Sequence, residues 1–544
     1  MTAIRRAPAA LVFMLFLSLA KPPASLAADA DVESLKAQVQ ALVERVAAQE
    51  QELRDLKAEQ ARLALELDKK SRVSEVQEPA SPSQSAPRGI QPESAAQSAS
   101  LAGGKDWFAD HLRVGGYGSV RFETNDAPRG AGAGFTFRRF VLTTDAKITD
   151  RLRVYSETEF ERLWGIEVEK SATATAGGLE AKQEVEGNSG GELALEQAWG
   201  QYNFAENHGV RAGVVLPPLG RFNILHDDDY WDIPRRTLVD RDGPVTQLKS
   251  AWRELGAGLV GAFNIGQSGR LDYQAYVVNG ATIDFNLESV AQTRFPRRSK
   301  LELEGEFGLF SGPFDGSQSA RAFTWRTAYS PALAGEFALS GYHGRYTPDY
   351  LGARERVNSL GFDYKWRRGA FEFEGEAIYT SFGRLGRVLD SFAAAVYRSA
   401  AATTSEETDQ LESEIEFDLA NLARTRYGFW TDFKYHWRPA WLKRSFLGRP
   451  FEDPRLIPIL RYERAWLNRN VEQMTFDAGR ITTLATDNLE QDRVSLGLSF
   501  RPVRSFGILG TYEHNRRLNG TRLIFPRVDA RSTHGFLSGI VFAF

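Results

Sequence analysis

The stretch Arg426-Tyr427-Gly428-Phe429-Trp430-Thr431-Asp432-Phe433-Lys434-Tyr435-His436-Trp437 sets Tyr427, Phe429, Phe433, Tyr435 and Trp437 against Arg426, Asp432, Lys434 and His436. A period of two is that of a β-strand, whose side chains point alternately to opposite faces. The same pattern runs from Arg151 to Glu161, where Arg153, Tyr155, Glu157 and Glu159 interleave with Leu152, Val154, Ser156, Thr158 and Phe160. In a soluble sandwich one of these faces would be wet and the other in a core. In a lipid barrel the apolar face points outward and the polar face inward.

Segments of this kind recur near 112–122, 135–146, 151–161, 193–204, 208–215, 253–264, 269–279, 320–329, 334–346, 357–367, 369–381, 424–437, 456–467, 492–501, 505–516 and 534–544. They number about sixteen, mostly of the 9–11 residues that a tilted membrane strand needs. Connections after even-numbered segments are short, as at Lys147 to Asp150, Ala205 to Asn207, Ser330 to Leu333 and Pro502 to Arg504. Those after odd-numbered segments are mostly long, near 162–192, 216–252, 280–319 and 382–423; Arg438 to Arg455 breaks the rule. Short turns at one end and long loops at the other are the layout of a barrel inserted from the periplasm. The last residues, Phe536-Leu537-Ser538-Gly539-Ile540-Val541-Phe542-Ala543-Phe544, resemble the C-terminal signal of bacterial outer-membrane barrels.

Composition agrees with this reading once averaging over two faces is allowed for. A hydrophobic content of 42% and a mean hydropathy of −0.36 exclude a bundle of transmembrane helices, which needs several apolar runs of about 20 residues. They do not exclude a barrel, which spends apolar residues one at a time. With 67 basic and 70 acidic residues the net charge is −3, so no basic face for nucleic acid is expected. The absence of cysteine excludes disulfides, thiolate metal sites, a catalytic cysteine and a CxxCH haem attachment. No cofactor is expected.

The N-terminal part has a different grammar. Arg5 and Arg6 precede an apolar run from Ala9 to Ala20, and Ser25-Leu26-Ala27 offers a cleavage site, so residues 1–27 read as a secretory signal peptide. Over 28–70, Val32, Val39, Val46, Leu53 and Leu67 take heptad position a and Leu35, Leu42, Leu56 and Leu63 take d, with Gln49 and Gln60 as polar seam residues. That is an α-helical coiled coil, read as an oligomerisation stalk in the periplasm. Residues 71–105 are a Ser/Pro-rich linker, and 106–544 form the barrel domain. The expected fold is an all-β transmembrane antiparallel barrel with an N-terminal coiled coil, in the outer membrane of a Gram-negative bacterium.

The segments Gly116-Tyr117-Gly118-Ser119-Val120-Arg121-Phe122, Phe137-Arg138-Arg139-Phe140, Gln197-Ala198-Trp199-Gly200-Gln201-Tyr202 and Gly213-Val214-Val215-Leu216-Pro217 resemble the phosphate-selective porin O and P family of outer-membrane channels. The resemblance implies a sixteen-stranded homotrimeric porin, and some relatives carry a periplasmic N-terminal coil. It implies phosphate or other anions as solutes. The family's anion selectivity depends on a strongly basic lumen, however, and the lumen read here is balanced, so no binding residue is carried over.

Sixteen strands leave an aqueous interior, whereas eight would be filled by side chains. The expected function is therefore diffusion of small hydrophilic solutes and ions. Polar parity assigns Arg121, Arg139, Lys147, Arg153, Arg326, Lys365, Arg424, Arg426, Lys434, Arg461 and Arg493 to the lumen. It also assigns Asp145, Glu157, Glu159, Asp272, Asp363, Glu372, Glu374, Glu376, Asp432, Glu463 and Glu513. Glu372, Glu374 and Glu376 form a carboxylate file, and Arg424 with Arg426 a basic one on the next strand. Two arrangements are open, facing files with a transverse field or cross-strand ion pairs. In porins the third external loop commonly folds inward. By that resemblance Arg221, Asp227, Asp228, Asp229, Arg235, Arg236 and Arg241 are the constriction candidates. His226-Asp227-Asp228-Asp229 also suggests a divalent cation, but consecutive residues rarely converge on one ion, and no metal is expected.

Two other readings compete with a channel. An enzyme is disfavoured because His208, His343, His436, His514 and His534 are scattered, with no Ser or Asp at a triad spacing. A structural barrel would tether the envelope through its coil, by peptidoglycan or other periplasmic contact, or would sheathe an electron carrier. Membrane lipid, small solutes and further copies of the chain in a homotrimer are the expected partners.

Overall fold

In hydrocarbon an unpaired backbone amide costs several kcal/mol, so alternating strands persist there only as a sheet without edges. The computed structural model of the chain describes residues 111–128, 133–162, 166–175, 178–187, 192–240, 251–295, 298–310, 321–332, 335–403, 411–419, 421–477 and 480–544. The signal, coil and linker expected before residue 106 lie outside this set.

The strands in chain order are β1 (Leu112–Asn125), β2 (Gly134–Lys147), β3 (Leu152–Glu161), β4 (Ile166–Thr175), β5 (Gly178–Gly187), β6 (Glu192–Ala205), β7 (His208–Val215), β8 (Glu254–Ile265), β9 (Gly269–Val278), β10 (Thr282–Phe295) and β11 (Arg298–Phe310). They continue as β12 (Ala322–Ala332), β13 (Gly335–Arg345), β14 (Arg356–Arg368), β15 (Phe371–Phe382), β16 (Leu411–Leu419), β17 (Ala423–Tyr435), β18 (Arg455–Asp477), β19 (Arg480–Val503), β20 (Phe506–Asn519) and β21 (Ser532–Ala543). Sixteen of them close in the order β1-β2-β3-β6-β7-β8-β9-β12-β13-β14-β15-β17-β18-β19-β20-β21. The seam is antiparallel, from Tyr117 opposite Ala543 to Asn125 opposite Gly535. Reciprocal hydrogen bonds between Gly116 and Phe544 extend it by one residue, Gly116 N–H to Phe544 O at 3.1 Å and Phe544 N–H to Gly116 O at 3.0 Å.

All sixteen barrel strands fall where alternation places them. Five more strands do not belong to the barrel: β4 and β5 form a hairpin, and β10, β11 and β16 a three-stranded sheet. They occupy stretches expected to be plain loops, although segments such as Leu301-Glu302-Leu303-Glu304 alternate with the same period as the barrel strands. β18 and β19 run for 23 and 24 residues, well beyond the 467 and 492 boundaries expected. Only about 9–11 residues cross a bilayer. The remainder is a hairpin projecting past it. Arg438 to Arg455 is a true long turn holding a short helix and closed by backbone bonds between Trp437 and Leu456 at 2.8 and 2.9 Å.

The outward face is apolar: Val277 and Leu339 are each 57% exposed, Leu360 62% and Leu496 57%. An exposed apolar surface of this extent requires lipid around it. Aromatic rings border the band at both ends. At the short-turn end Phe337 meets Trp366 at 6.3 Å, Phe371 meets Tyr435 at 5.0 Å, and Phe140 stacks on Phe544 at 5.8 Å. At the loop end Tyr427 stacks on Trp466 at 4.7 Å. No helix among the described residues is long and apolar enough to cross a membrane.

Close strand approach sets one local requirement. Gly213 has φ +129°, and a Cβ there would lie 2.2 Å from the Ala198 carbonyl oxygen and 2.8 Å from Trp199 Cα. Gly200, one strand away, has nothing within 4 Å of its Cβ position. Gly213→Ala is expected to lose about 1–3 kcal/mol through backbone strain and clash. Gly200→Ala should match the parent in urea midpoint and refolding yield measured in detergent micelles, while Gly213→Ala falls below it.

Candidate functional site

The loop between β7 and β8, residues 216–253, begins with Pro217 and Pro218, which keep it out of the ladder. It then turns inward and touches lumen-facing residues all round the barrel. Its helix α1 (Gly220–Ile224) docks on β13–β15: Gly220 N–H donates to Ser340 Oγ at 3.0 Å, and the Arg221 and Phe222 N–H groups both donate to Glu376, the latter at 2.7 Å. Gly220 is required there, since at φ +74° a Cβ would lie 2.6 Å from the Glu376 carboxyl carbon. The Arg221 guanidinium reaches Glu336 at 2.9 Å and donates to Tyr230 Oη at 3.1 Å.

On the opposite wall Asp228 accepts from Ser119 Oγ at 2.7 Å and lies 3.5 Å from Arg139. Phe222 and Trp231 stack at 4.2 Å, with Trp430 edge-on at 5.5 Å from Trp231, so an apolar core forms inside the barrel. Asp232 bridges Lys434 at 3.3 Å and Arg501 at 3.0 Å. Arg235 pairs with Glu513 at 2.9 Å and also with Glu123. Arg236 pairs with Asp240 at 3.0 Å. Wall groups also hold loop backbone: Arg461 donates to the Arg235 carbonyl at 2.9 Å, Arg493 to that of Arg236 at 2.6 Å, and Glu463 accepts from Leu238 N–H at 2.9 Å. Of the constriction candidates, Arg221, Asp228, Arg235 and Arg236 are thus bonded within the lumen, Asp227 joins a buried cluster described below, and Asp229 is half-buried in the same turn. Arg241 lies outside the described residues.

The lumen charges pair with one another. Arg461 holds Asp432 at 2.6 and 2.8 Å, Arg493 holds Glu463 at 2.5 Å, Arg326 holds Asp363 at 2.7 Å, Arg139 holds Glu159 at 3.1 Å, and Arg153 holds Asp145 at 2.7 Å. Arg121 pairs with Glu123 at 3.2 Å. The facing files expected of Glu372, Glu374, Glu376 and Arg424, Arg426 do not form. The register sets Glu372 opposite Lys434, Glu374 opposite Asp432, Glu376 opposite Trp430, and Arg426 opposite Thr380, further toward the loop end. Lys434 lies 3.8 Å from Glu372 and bridges to Glu374, so the cross-strand alternative prevails. Arg424 is exposed at the start of β17. Arg426 is only 1% exposed, has no hydrogen-bond partner at any of its three guanidinium nitrogens, and lies 4.7 Å over the Phe382 ring.

Alternation missed Glu196. A bulge pairs Glu157 with Gln197 and Thr158 with Leu195, leaving Glu196 between them. The extra residue shifts the parity, and Glu196 is fully buried. Its carboxylate, with Glu157, His226 and Asp227, brings four potential ligand atoms within 4.8 Å of one another. The sequence alone carries no signal for that bulge.

A cavity of about 440 Å³ opens at the short-turn end, lined among others by Arg221, Arg270, Lys365 and Arg367 and by Glu336 and Glu372. His208 contacts Tyr273, His343 contacts Asn358 and Arg356, and His436 contacts Glu372. His514 and His534, distant in sequence, are cross-strand neighbours with ring centroids 4.5 Å apart.

No family model matches the chain. An uncharacterized protein of Aquifex aeolicus (strain VF5) is 28% identical over 169 residues, 31% of this chain and 32% of that protein, so the match spans about a third of the relative's length. Among solved structures, the anion-selective porin from Comamonas acidovorans matches 80% of this chain and 99% of its own, with 10% identity and a TM-score of 0.43. The outer membrane channel DcaP of Acinetobacter baumannii matches 82% of this chain and 100% of its own, with 11% identity and a TM-score of 0.43. OmpF of Salmonella typhi, in complex with daunomycin, matches 80% and 97% with 10% identity and a TM-score of 0.42.

Asp232 gives the loop a pH dependence. Burial alone would raise its pKa, but Lys434 and Arg501 outweigh burial and hold it below the ordinary aspartate value. A depressed carboxylate adds stability above its unfolded pKa of about 3.9 and loses it as the pH falls toward the folded value. Amide exchange at residues 230–236 is therefore expected to be constant from neutral pH down to about 4, after correction for intrinsic rates, and to accelerate below that. Asp232→Asn should remove this acid limb.

Proposed function

We propose that the chain is an outer-membrane channel for diffusion of small hydrophilic solutes and ions, with the 216–253 loop as its constriction. One observation carries the reading: the loop crosses a wide, charged lumen and is bonded to nearly every part of its wall. A barrel needed only as an anchor has no use for a loop held to its inner wall by Asp228, Asp232 and Arg235. Constriction residues on this reading are Arg221, Asp227, Asp228, Asp229, Arg235, Arg236 and Arg241. Lumen-lining residues are Arg121, Arg139, Arg153, Glu372, Glu374, Glu376, Arg424, Arg426 and Lys434.

Anions are the favoured ions. The short-turn cavity is lined by four cationic side chains and two carboxylates; Arg221, Lys365 and Arg270 are paired with Glu336, Glu372 and Asp272, so the cationic excess that favours anions is small and centres on Arg367. Phosphate is one such anion, as the resemblance to the phosphate-selective family implies, though paired charges along the wall leave no basic ladder for it. A homotrimer, with the N-terminal coil in the periplasm as its stalk, completes the proposal.

In planar bilayers the purified protein should give stepwise conductance, and a salt gradient should give a reversal potential displaced toward anions. A folded preparation that stays electrically silent would overturn the channel reading. The packed apolar core within the barrel would then support the second reading, a structural barrel tethered through its coil.

Arg235→Ala removes the partner of a buried carboxylate, Glu513, a loss of about 3–5 kcal/mol at the loop's far anchor. Other anchors remain. The variant is expected to fold and to show larger, noisier single-channel steps than the parent; unchanged steps would mean that the loop does not set the conductance.

A further inference from the structure

The cluster behind the loop is assembled from three elements: Glu157 on β3, Glu196 at the β6 bulge, and His226 with Asp227 on the loop. We propose that it binds one divalent transition-metal ion, of the zinc type, which fastens the loop to the wall. Three features of its geometry support a ligand set over a chance gathering of acids.

The first is Glu157. It is 1% exposed, and its Oε1 has no hydrogen-bond partner while lying 3.5 Å from His226 Nε2. Its other oxygen is held from behind, by Gln197 Nε2 at 2.6 Å and Tyr155 Oη at 3.3 Å. A buried carboxylate clamped on one oxygen with the other aimed into the cluster is how a ligand is oriented by its surroundings. The second is the imidazole. His226 Nδ1 lies 3.1 Å from the Asn223 carbonyl oxygen and donates to it, which leaves Nε2 as the ring atom that faces the three carboxylates; its proton, donated to Glu196 at 2.7 Å, is the one a metal ion would displace.

The third is spacing. His226 Nε2 stands 3.5 Å from both Glu157 Oε1 and Asp227 Oδ1. A tetrahedral ion with bonds of about 2.0–2.1 Å separates its ligands by about 3.3–3.4 Å. Glu196, at 2.7 Å from Nε2, is the one ligand that must draw back. Three carboxylates set against a single imidazole also repel one another in a water-poor site, and a divalent cation relieves that repulsion. One nitrogen with oxygen donors suits zinc and its first-row neighbours better than calcium or magnesium, which prefer all-oxygen shells.

The consequence is mechanical. Asp228, next in the chain, is already bonded to Ser119 and Arg139, so an ion at His226–Asp227 would fix the loop where it meets β3 and β6. The inference does not depend on conduction, and its test uses no conductance.

The full-length protein, folded in detergent and stripped with a chelator, is titrated with Zn²⁺ against a chromophoric competitor. Folding is monitored by the mobility shift of unheated barrels on denaturing gels. One Zn²⁺ per chain is expected. Glu157→Gln and Asp227→Asn, both nearly isosteric, should each weaken binding at least about tenfold. X-ray absorption on the zinc-loaded parent adds a measurement that needs no variant: one imidazole nitrogen and oxygen neighbours at about 2.0–2.1 Å. Failure of the folded parent to take up Zn²⁺, uptake unchanged in both variants, or a shell without imidazole would each overturn the proposal.

Discussion

Closure of the backbone ladder is the constraint on which the structure rests. A sheet in lipid cannot leave its first and last strands unpaired, so β1 must find β21 across more than 400 residues of chain. Phe544 takes part in that seam through its backbone, and its ring stacks on Phe140 at the short-turn end. Once the ring is shut, every strand has a lipid face and a lumen face, and the two solvents sort the side chains. An average composition that resembles a soluble protein is the sum of those faces.

Inside, a second constraint operates. Most lumen charges that are cut off from water by the inward loop are paired, because an isolated buried charge is far more costly than a pair; Arg426, over the Phe382 ring, is an exception. The wall answers with close pairs such as Arg461–Asp432 and Arg493–Glu463. The same wall arginines donate to loop carbonyls, so one network both neutralises the wall and holds the loop. Many wall guanidinium groups are thereby occupied by protein carboxylates.

The barrel was legible because its signal is local. A period of two, a span of about ten residues and turn residues between spans are written into each segment, and tertiary context cannot reverse a face exposed to lipid. The inward parity of Glu157, Asp363 and Arg493 was legible for the same reason, and all three are buried. What failed was anything that depends on register. Glu372, Glu374 and Glu376 read as a file facing Arg424 and Arg426, but antiparallel pairing slid the arginines toward the loop end and set Lys434 beside the glutamates. Glu196 was passed over although the exposed Leu193 and Leu195 alternate with it; what carries no signal is the bulge that sets Gln197 on the same face. The sheet of β10, β11 and β16 was missed because a period of two, present in Leu301 to Glu304, does not say whether a strand joins the barrel or a separate sheet.

The amino-acid sequence by itself determined that this chain forms a lipid-facing barrel of about sixteen strands, because that follows from alternation within each strand. Only the tertiary structure decided which charges meet, where the inward loop is held, and that His226 and Asp227 come to lie against Glu157 and Glu196. Those facts depend on contacts between residues far apart in the chain, and a stagger or a bulge of one residue is enough to change them.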